Sequence, residues 1–280
     1  MDENIKRAFT KAQQDVPPHP CVPFRMEPCR TDIYDNKIGG IPYLPKTFKW
    51  PVDKEENPLV LLAQINFTTI PHLPNFPDKG ILQFYIAPND MYGVSENIEN
   101  DLAQQQDFRI LYHEDIITDR SKLYAETDIP KAERSDEWDM LPFEEEYRLI
   151  PEGVRDVRAH YTDCRFSESF LHHYNEMTGE DLFSMYDLSQ EQWDDIDALC
   201  EDVPDVALGG HVEFVQEDPR TMDAYKEGYD TCLLHLMSFY DEDSGASLMW
   251  GDYGSGNFLI ARDALRRCDF KDVLYNFDCG

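Results

Sequence analysis

Polar side chains set inside or beside apolar runs are the residues best suited to chemistry in this sequence. Gln64 and Asn66 close the run Leu59-Val-Leu-Leu-Ala-Gln-Ile-Asn, His235 lies within Cys232-Leu-Leu-His-Leu-Met, and Asp252 follows Met249-Trp-Gly. Burial of such groups without partners is costly, so each must meet a hydrogen-bonding group of the protein or a ligand. Tyr43, Trp50, Trp250 and Tyr253 lie in turns beside the same runs and can wall a pocket. The candidate ligand residues are therefore Gln64, Asn66, His235, Trp250, Asp252 and Tyr253, facing a crevice between two halves of the chain. Core and corner packing is the competing reading for the aromatic residues.

Other constellations are weaker. Asp241-Glu-Asp-Ser-Gly245 with Asp252 has some oxygen ligands of a calcium loop, but its glycine stands at the fifth position and its last ligand is Asp rather than a bidentate Glu. An acidic hairpin turn explains it better. His72, His113, His160 and the adjacent His172-His173 match no zinc spacing, and neighbouring histidines are expected to diverge on a helix or strand. They read as surface or capping residues, and no metal or other cofactor is expected. Nucleophile-elbow and phosphate-loop motifs are missing. Gly251-Asp-Tyr-Gly-Ser-Gly256 is glycine-rich but leads into a strand, so it has no helix N-terminus for a phosphate.

The elements that must position these residues are legible in part. Ile5, Ala8, Phe9 and Ala12 predict a helix over residues 4–12, stopped by the prolines at 17, 18 and 20. Strands are predicted at 59–65, 81–86, 108–113, 147–150, 232–239, 257–260 and 273–277. Residues 189–200 form the clearest helix, with Ser189 and Gln192 as a capping box and Trp193, Ile196, Leu199 and Cys200 as its inner stripe. One helical turn is expected around 181–186, and a short helix from Asp263 through Arg267.

Two stretches echo one another in order. Gly39-Gly40 matches Gly209-Gly210 at an offset of 170, Leu61-Leu62 matches Leu233-Leu234 at 172, and Phe84 to Ala87 matches Phe258 to Ala261 at 174. An internal duplication is the reading. The predicted fold is α+β and β-rich, with two pseudo-symmetric mixed or antiparallel sheet halves and a few peripheral helices. Residues 1–36 form a helix and proline-rich lead, 37–94 the first half, 95–205 an acidic connecting segment, and 206–280 the second half, all within one domain.

Net charge is −31 over 280 residues, and 31 acids against 9 bases fall within residues 95–205. Such a surface repels nucleic acid and anionic membranes and attracts a basic protein. No apolar run approaches the ~20 residues of a membrane span. The acidic N-terminus does not resemble a signal peptide, and seven cysteines with no C-x-x-C pair suit free thiols in a reducing cytoplasm.

Lys37-Ile-Gly-Gly-Ile-Pro-Tyr-Leu-Pro, Trp50-Pro51 and Gly80-Ile-Leu-Gln-Phe-Tyr-Ile resemble the first half of the YwqG-like family. Leu208-Gly-Gly, Gln216-Glu-Asp-Pro-Arg and Met249-Trp-Gly-Asp-Tyr-Gly resemble its second half, although His211-Val-Glu replaces the proline- or tyrosine-containing segment expected after the glycines. The resemblance implies a cytoplasmic domain with no established molecular function and carries over no catalytic residues. Some members stand near bacterial toxin–immunity genes. The leading expectation is a non-catalytic interaction module that binds a basic protein, in the manner of an immunity protein. The alternative is an enzyme or small-ligand protein using the crevice between the halves.

Overall fold

A computed structural model describes residues 2–130 and 140–280. The chain begins with helix α1 (Glu3–Asp15), capped by the Asp2 carboxylate, which accepts from the Asn4 N–H. Ile5, Ala8, Phe9 and Ala12 form its buried face. The helix runs beyond the expected end at Ala12 to Asp15 and stops, as expected, at the proline segment, because Val16 precedes Pro17 and is held out of the helical region.

Ten residues of extended chain follow as β1 (His19–Pro28), then β2 (Lys37–Ile38), β3 (Val60–Asn66), β4 (Ile81–Ile86), β5 (Phe108–His113), β6 (Tyr147–Pro151) and β7 (Arg155–Val157). Helices α2 (Cys164–Thr178) and α3 (Gln190–Asp197) come next. The chain ends with β8 (Val206–Gly209), β9 (Thr231–Met237), the hairpin β10 (Phe239–Tyr240) and β11 (Ser247–Leu248), β12 (Ser255–Ile260), α4 (Arg262–Arg266) and β13 (Val273–Asp278).

Eleven of these strands form one sheet, in the order β13-β12-β9-β8-β1-β6-β2-β3-β4-β5, with β7 also on β1. The strands expected in two small sheets lie in this one sheet because β1 pairs on both edges. Phe24–Pro28 pair with β6, and Cys21 to Pro23 pair with β8. Residues 1–36 therefore carry the central strand as well as a helix. All named pairings are antiparallel, so the sheet is not mixed.

The sheet curls until it is nearly closed. Phe84 of β4 meets Phe258 of β12 at 4.8 Å between ring centroids, and Phe108 of β5 meets Tyr275 of β13 at 5.2 Å. The backbone N–H of Tyr275 donates to the Leu102 carbonyl, tying the far edge to the segment before β5. Side chains alternate along a strand, so the residues beside these rings point to the outer face. One outer row is Lys37, Gln64, Gln83 and Leu111; another is Ala207, His235, Asn257 and Asn276. Bulges pass over Leu62 in β3 and Leu233 in β9. The glycine pairs both hold positive φ: Gly39 and Gly40 at 66° and 70°, Gly209 and Gly210 at 78° and 81°. The second glycine pair thus shares the positive φ of the first despite the His211 segment.

A helical layer packs beside the sheet. Asp163 caps α2, whose Phe166, Phe170 and Tyr174 pack against α1 and Ile196 of α3. Ser189 and Gln192 form the expected capping box of α3. Residues 181–186 lead into a short 3-10 turn, Met185–Asp187. Among the described residues, no helix is long and apolar enough to cross a membrane.

Candidate functional site

The six residues singled out from sequence lie in separate surroundings. Gln64 is fully buried and satisfied: its Oε1 accepts from Tyr43 N–H and Gln83 Nε2, and its Nε2 donates to the carbonyls of Ile33 and Asp35. Asn66 donates to the Tyr34 carbonyl and caps a 3-10 turn at Thr68. Gln83 also bonds His113 and accepts from the Tyr85 hydroxyl, so the outer row of the first strands is a closed polar network. Lys37 ends that row; burial brings its ammonium down to about 8, while its Nζ donates to the carbonyls of Asp32 and Ile41.

His235 stands in the other row. Its Nδ1 lies 2.6 Å from Asn257 Oδ1, Asn257 Nδ2 donates to Ser255 Oγ, and that hydroxyl donates to Asp278. His235 Nε2 is buried without a hydrogen-bond partner. Trp250 is buried against Tyr92 and Phe277. Asp252 and Tyr253 lie exposed in the turn before β12. Aromatic side chains from both ends of the sheet fill the space between them. The structure therefore does not gather these six residues into one crevice. The Asp241 segment is the acidic hairpin turn expected, with Ser244 and the Asp243 N–H both bonded to the Asp241 carboxylate.

A large concavity lies elsewhere, in a groove of about 810 Å3 between the helical layer and residues 213–218. Helix α2 presents Ser167, Glu168 and Leu171, and α3 presents Gln190, Trp193 and Asp197. Phe183 and Tyr186 stand at the wall, 83% and 74% exposed. Along the sheet side run His160, Tyr161, Glu213, Phe214 and Glu217. Glu168, Asp197, Glu213, Glu217 and Asp218 line the groove, and among the described residues no lysine or arginine does. Burial, helped by Asp202 and Asp205, holds the Glu213 carboxyl above its ordinary range.

Two buried assemblies set this wall in place. Asp278 accepts from the backbone N–H groups of Val215 and Gln216, so the chain of bonds starting at His235 ends on the groove wall. Below it, Arg220 bonds Asp218 at 2.6 Å and Asp163 at 3.1 Å, and Arg165 bonds Asp163 at 2.6 Å. His211 Nδ1 lies 3.5 Å from the same Asp163 oxygen, and its ring stacks on His19. Burial raises the Asp163 pKa, but Arg220, Arg165 and His211 outweigh it and hold the carboxyl well below the usual range. The segment Gln216-Glu-Asp-Pro-Arg220 thus supplies two groove acids, Glu217 and Asp218, and the arginine that locks Asp218 down.

Sequence reasoning missed most of the groove because it missed α2. The signal was present: Asp163 as a cap, then Phe166, Phe170 and Tyr174 at helical spacing. The described cysteines are all free thiols, as expected.

No curated protein matches the chain. The domain family described as "Domain of unknown function (DUF1963)" matches residues 36–279, from the start of β2 through β13. That span holds both polar rows and every residue lining the groove, and on it the chain belongs to the DUF1963 family.

Proposed function

We propose that this protein is a non-catalytic interaction module whose groove takes a basic, partly apolar segment of a partner protein. The observation that carries the reading is the composition of the groove: five carboxylates, the exposed rings of Phe183 and Tyr186, and, among the described residues, no lysine or arginine. Carboxylates attract ammonium and guanidinium groups, and aromatic faces hold the same cations and their aliphatic stems. Asp218 is already engaged by Arg220, so Glu168, Asp197, Glu213 and Glu217 are the groups offered to the partner. The net charge of −31 steers such a partner from a distance. Inhibition of a basic protein in the manner of an immunity protein, within the cytoplasm, is the specific form of this reading, in keeping with the YwqG-like sequence features.

A labelled peptide rich in arginine and lysine with one aromatic residue tests it by fluorescence anisotropy. Binding at low salt, weakened by high salt and by the combined change Asp197→Asn, Glu213→Gln and Glu217→Gln, is the expected result. No binding at low salt, or equal binding to the altered protein, overturns it. A small-ligand role is the second reading. It moves from the filled space between the sheet ends to the same groove, favoured by His160 Nδ1 standing 2.9 Å from Thr162 Oγ1 at its edge.

The whole chain is read as one domain in which residues 37–94 and 206–280 descend from one duplicated unit. Matching glycine conformations, bulges at Leu62 and Leu233, and the polar pairs Gln64–Gln83 and His235–Asn257 support this reading. Superposing β2, β3 and β4 on β8, β9 and β12 is expected to pair Gln64 with His235. That register is one residue away from the match of the leucine pairs, and a better fit at any other register counts against common descent.

A further inference from the structure

Histidines 172 and 173 do not diverge as adjacent residues on a helix were expected to; their ring centroids lie 5.2 Å apart, and both rings approach Glu176. His172 Nε2 is 3.7 Å from Glu176 Oε1, and His173 Nδ1 is 4.0 Å from Glu176 Oε2. One ligand atom from each of the three residues lies within 4.8 Å of the others. Positions i, i+1 and i+4 of α2 make this possible, because the fourth residue on comes back to an angle between the first two.

The far side of His173 is fixed. Its Nε2 lies 2.8 Å from Asp15 Oδ2, at the end of α1, and the Ser169 hydroxyl donates to the same oxygen. A carboxylate accepts and cannot donate, so the Nε2 proton points to Asp15 and the neutral ring leaves its lone pair on Nδ1. That Nδ1 is buried, has no hydrogen-bond partner and points towards another carboxylate. A lone pair facing a carboxylate is an unfavourable arrangement that a positive centre on Nδ1 resolves, either a proton or a metal ion. A carboxylate on one ring nitrogen and a metal on the other is also the usual setting of a histidine ligand.

We infer that His172 Nε2, His173 Nδ1 and the Glu176 carboxylate form a zinc-binding site, with water completing a tetrahedron and Asp15 orienting His173. Two imidazoles and one carboxylate suit zinc over calcium or magnesium, which prefer oxygen alone. Zinc bonds of about 2.0–2.2 Å need ligand atoms roughly 3.3–3.6 Å apart, a small closing rotation from the distances observed. His172 and Glu176 are more than half exposed and free to make it. The other compact group, Asp163, Cys164 and Asp218, is a poor competitor, since Arg165 and Arg220 already hold its carboxylates. Metal at α2 would hold the end of α1 through Asp15, fastening the first helix to the helical layer. This site is distinct from the groove, to which α2 gives Cys164, Ser167, Glu168 and Leu171.

The test uses the full chain, stripped with chelator and titrated with zinc by calorimetry, then with cobalt by optical spectroscopy. One equivalent of zinc is expected, and the cobalt spectrum should lack thiolate charge-transfer bands. His172→Ala and Glu176→Gln should abolish binding, and Asp15→Asn should weaken it about ten- to a hundredfold. His172 is exposed, so its replacement leaves the fold intact and the comparison valid. Absence of binding, unchanged binding in His172→Ala, or binding that thiol alkylation removes would each overturn the inference.

Discussion

Phe84 and Phe258 meet at 4.8 Å although β4 and β12 stand near opposite ends of the strand order. Their contact, backed by Phe108 and Tyr275, closes the sheet upon itself. Both side chains are fully buried. Phe258→Ala is expected to cost about 3–5 kcal/mol, the range for a large aromatic lost from a packed core. Urea unfolding followed by tryptophan fluorescence measures it, and a loss below 1 kcal/mol would mean that closure does not depend on this pair.

The ion cluster under the groove gives a second expectation. Asp163 and Arg220 are almost wholly enclosed, so removing either leaves a buried charge without its partner. Asp163→Asn and Arg220→Met should each cost about 3–5 kcal/mol. Since both act in one network, the double variant should cost less than the sum. Additive losses in denaturant titrations would contradict that coupling.

Acid sensitivity follows from three buried histidines and the half-buried His19. Burial lowers His19, His113, His160 and His235 to about 4 each. In the unfolded chain they take up protons near 6.5, so between pH 6.5 and 4 the unfolded state binds more protons and stability falls as pH falls. Asp205, Glu213 and Asp278, whose pKa values burial raises, act in the opposite direction and recover part of the loss. The thermal midpoint should therefore drop on going from pH 7 to 5. His235→Gln should make that drop shallower; an unchanged slope would show that His235 does not titrate between the two states.

For the groove, charge reversal is the sharp test. Glu213→Lys should weaken a basic peptide by about tenfold, or ~1.4 kcal/mol, and reduce the salt dependence. Tyr186→Ala should weaken it by a smaller factor without changing that dependence, since an exposed ring contributes contact and not charge. Anisotropy titrations at two salt concentrations separate the two effects.

Local pattern was enough for several elements and misleading for others. The apolar alternation of β4 and β5 fixes their ends in sequence, and Ser189 marks the start of α3. β1 was hidden by Pro20, Pro23 and Pro28, which argue against a central strand. It pairs nonetheless because proline carbonyls still accept: Pro20 from the Gly210 N–H and Pro23 from the Glu152 N–H. Polar residues of the strands were recognisable as Gln64 and His235, but their partners come from distant segments that no local pattern joins. The groove was harder still. Its walls come from α2, α3 and the chain after Gly210, joined by helix packing and by the Asp163–Arg220–Asp218 cluster, contacts between segments far apart in sequence.

The place of β1 has a consequence for how the molecule is made. This strand leaves the ribosome well before its partners β6, β7 and β8, which begin more than a hundred residues later in the chain. Both edges of a long strand thus stay open while the residues up to β6 and β8 are synthesised, and open edges invite pairing with other chains. Commitment to the native topology is expected only after Gly209 has emerged, which makes the nascent chain a natural client for holding chaperones. The three prolines of β1 then have a second use: each removes a donor from an edge that must wait.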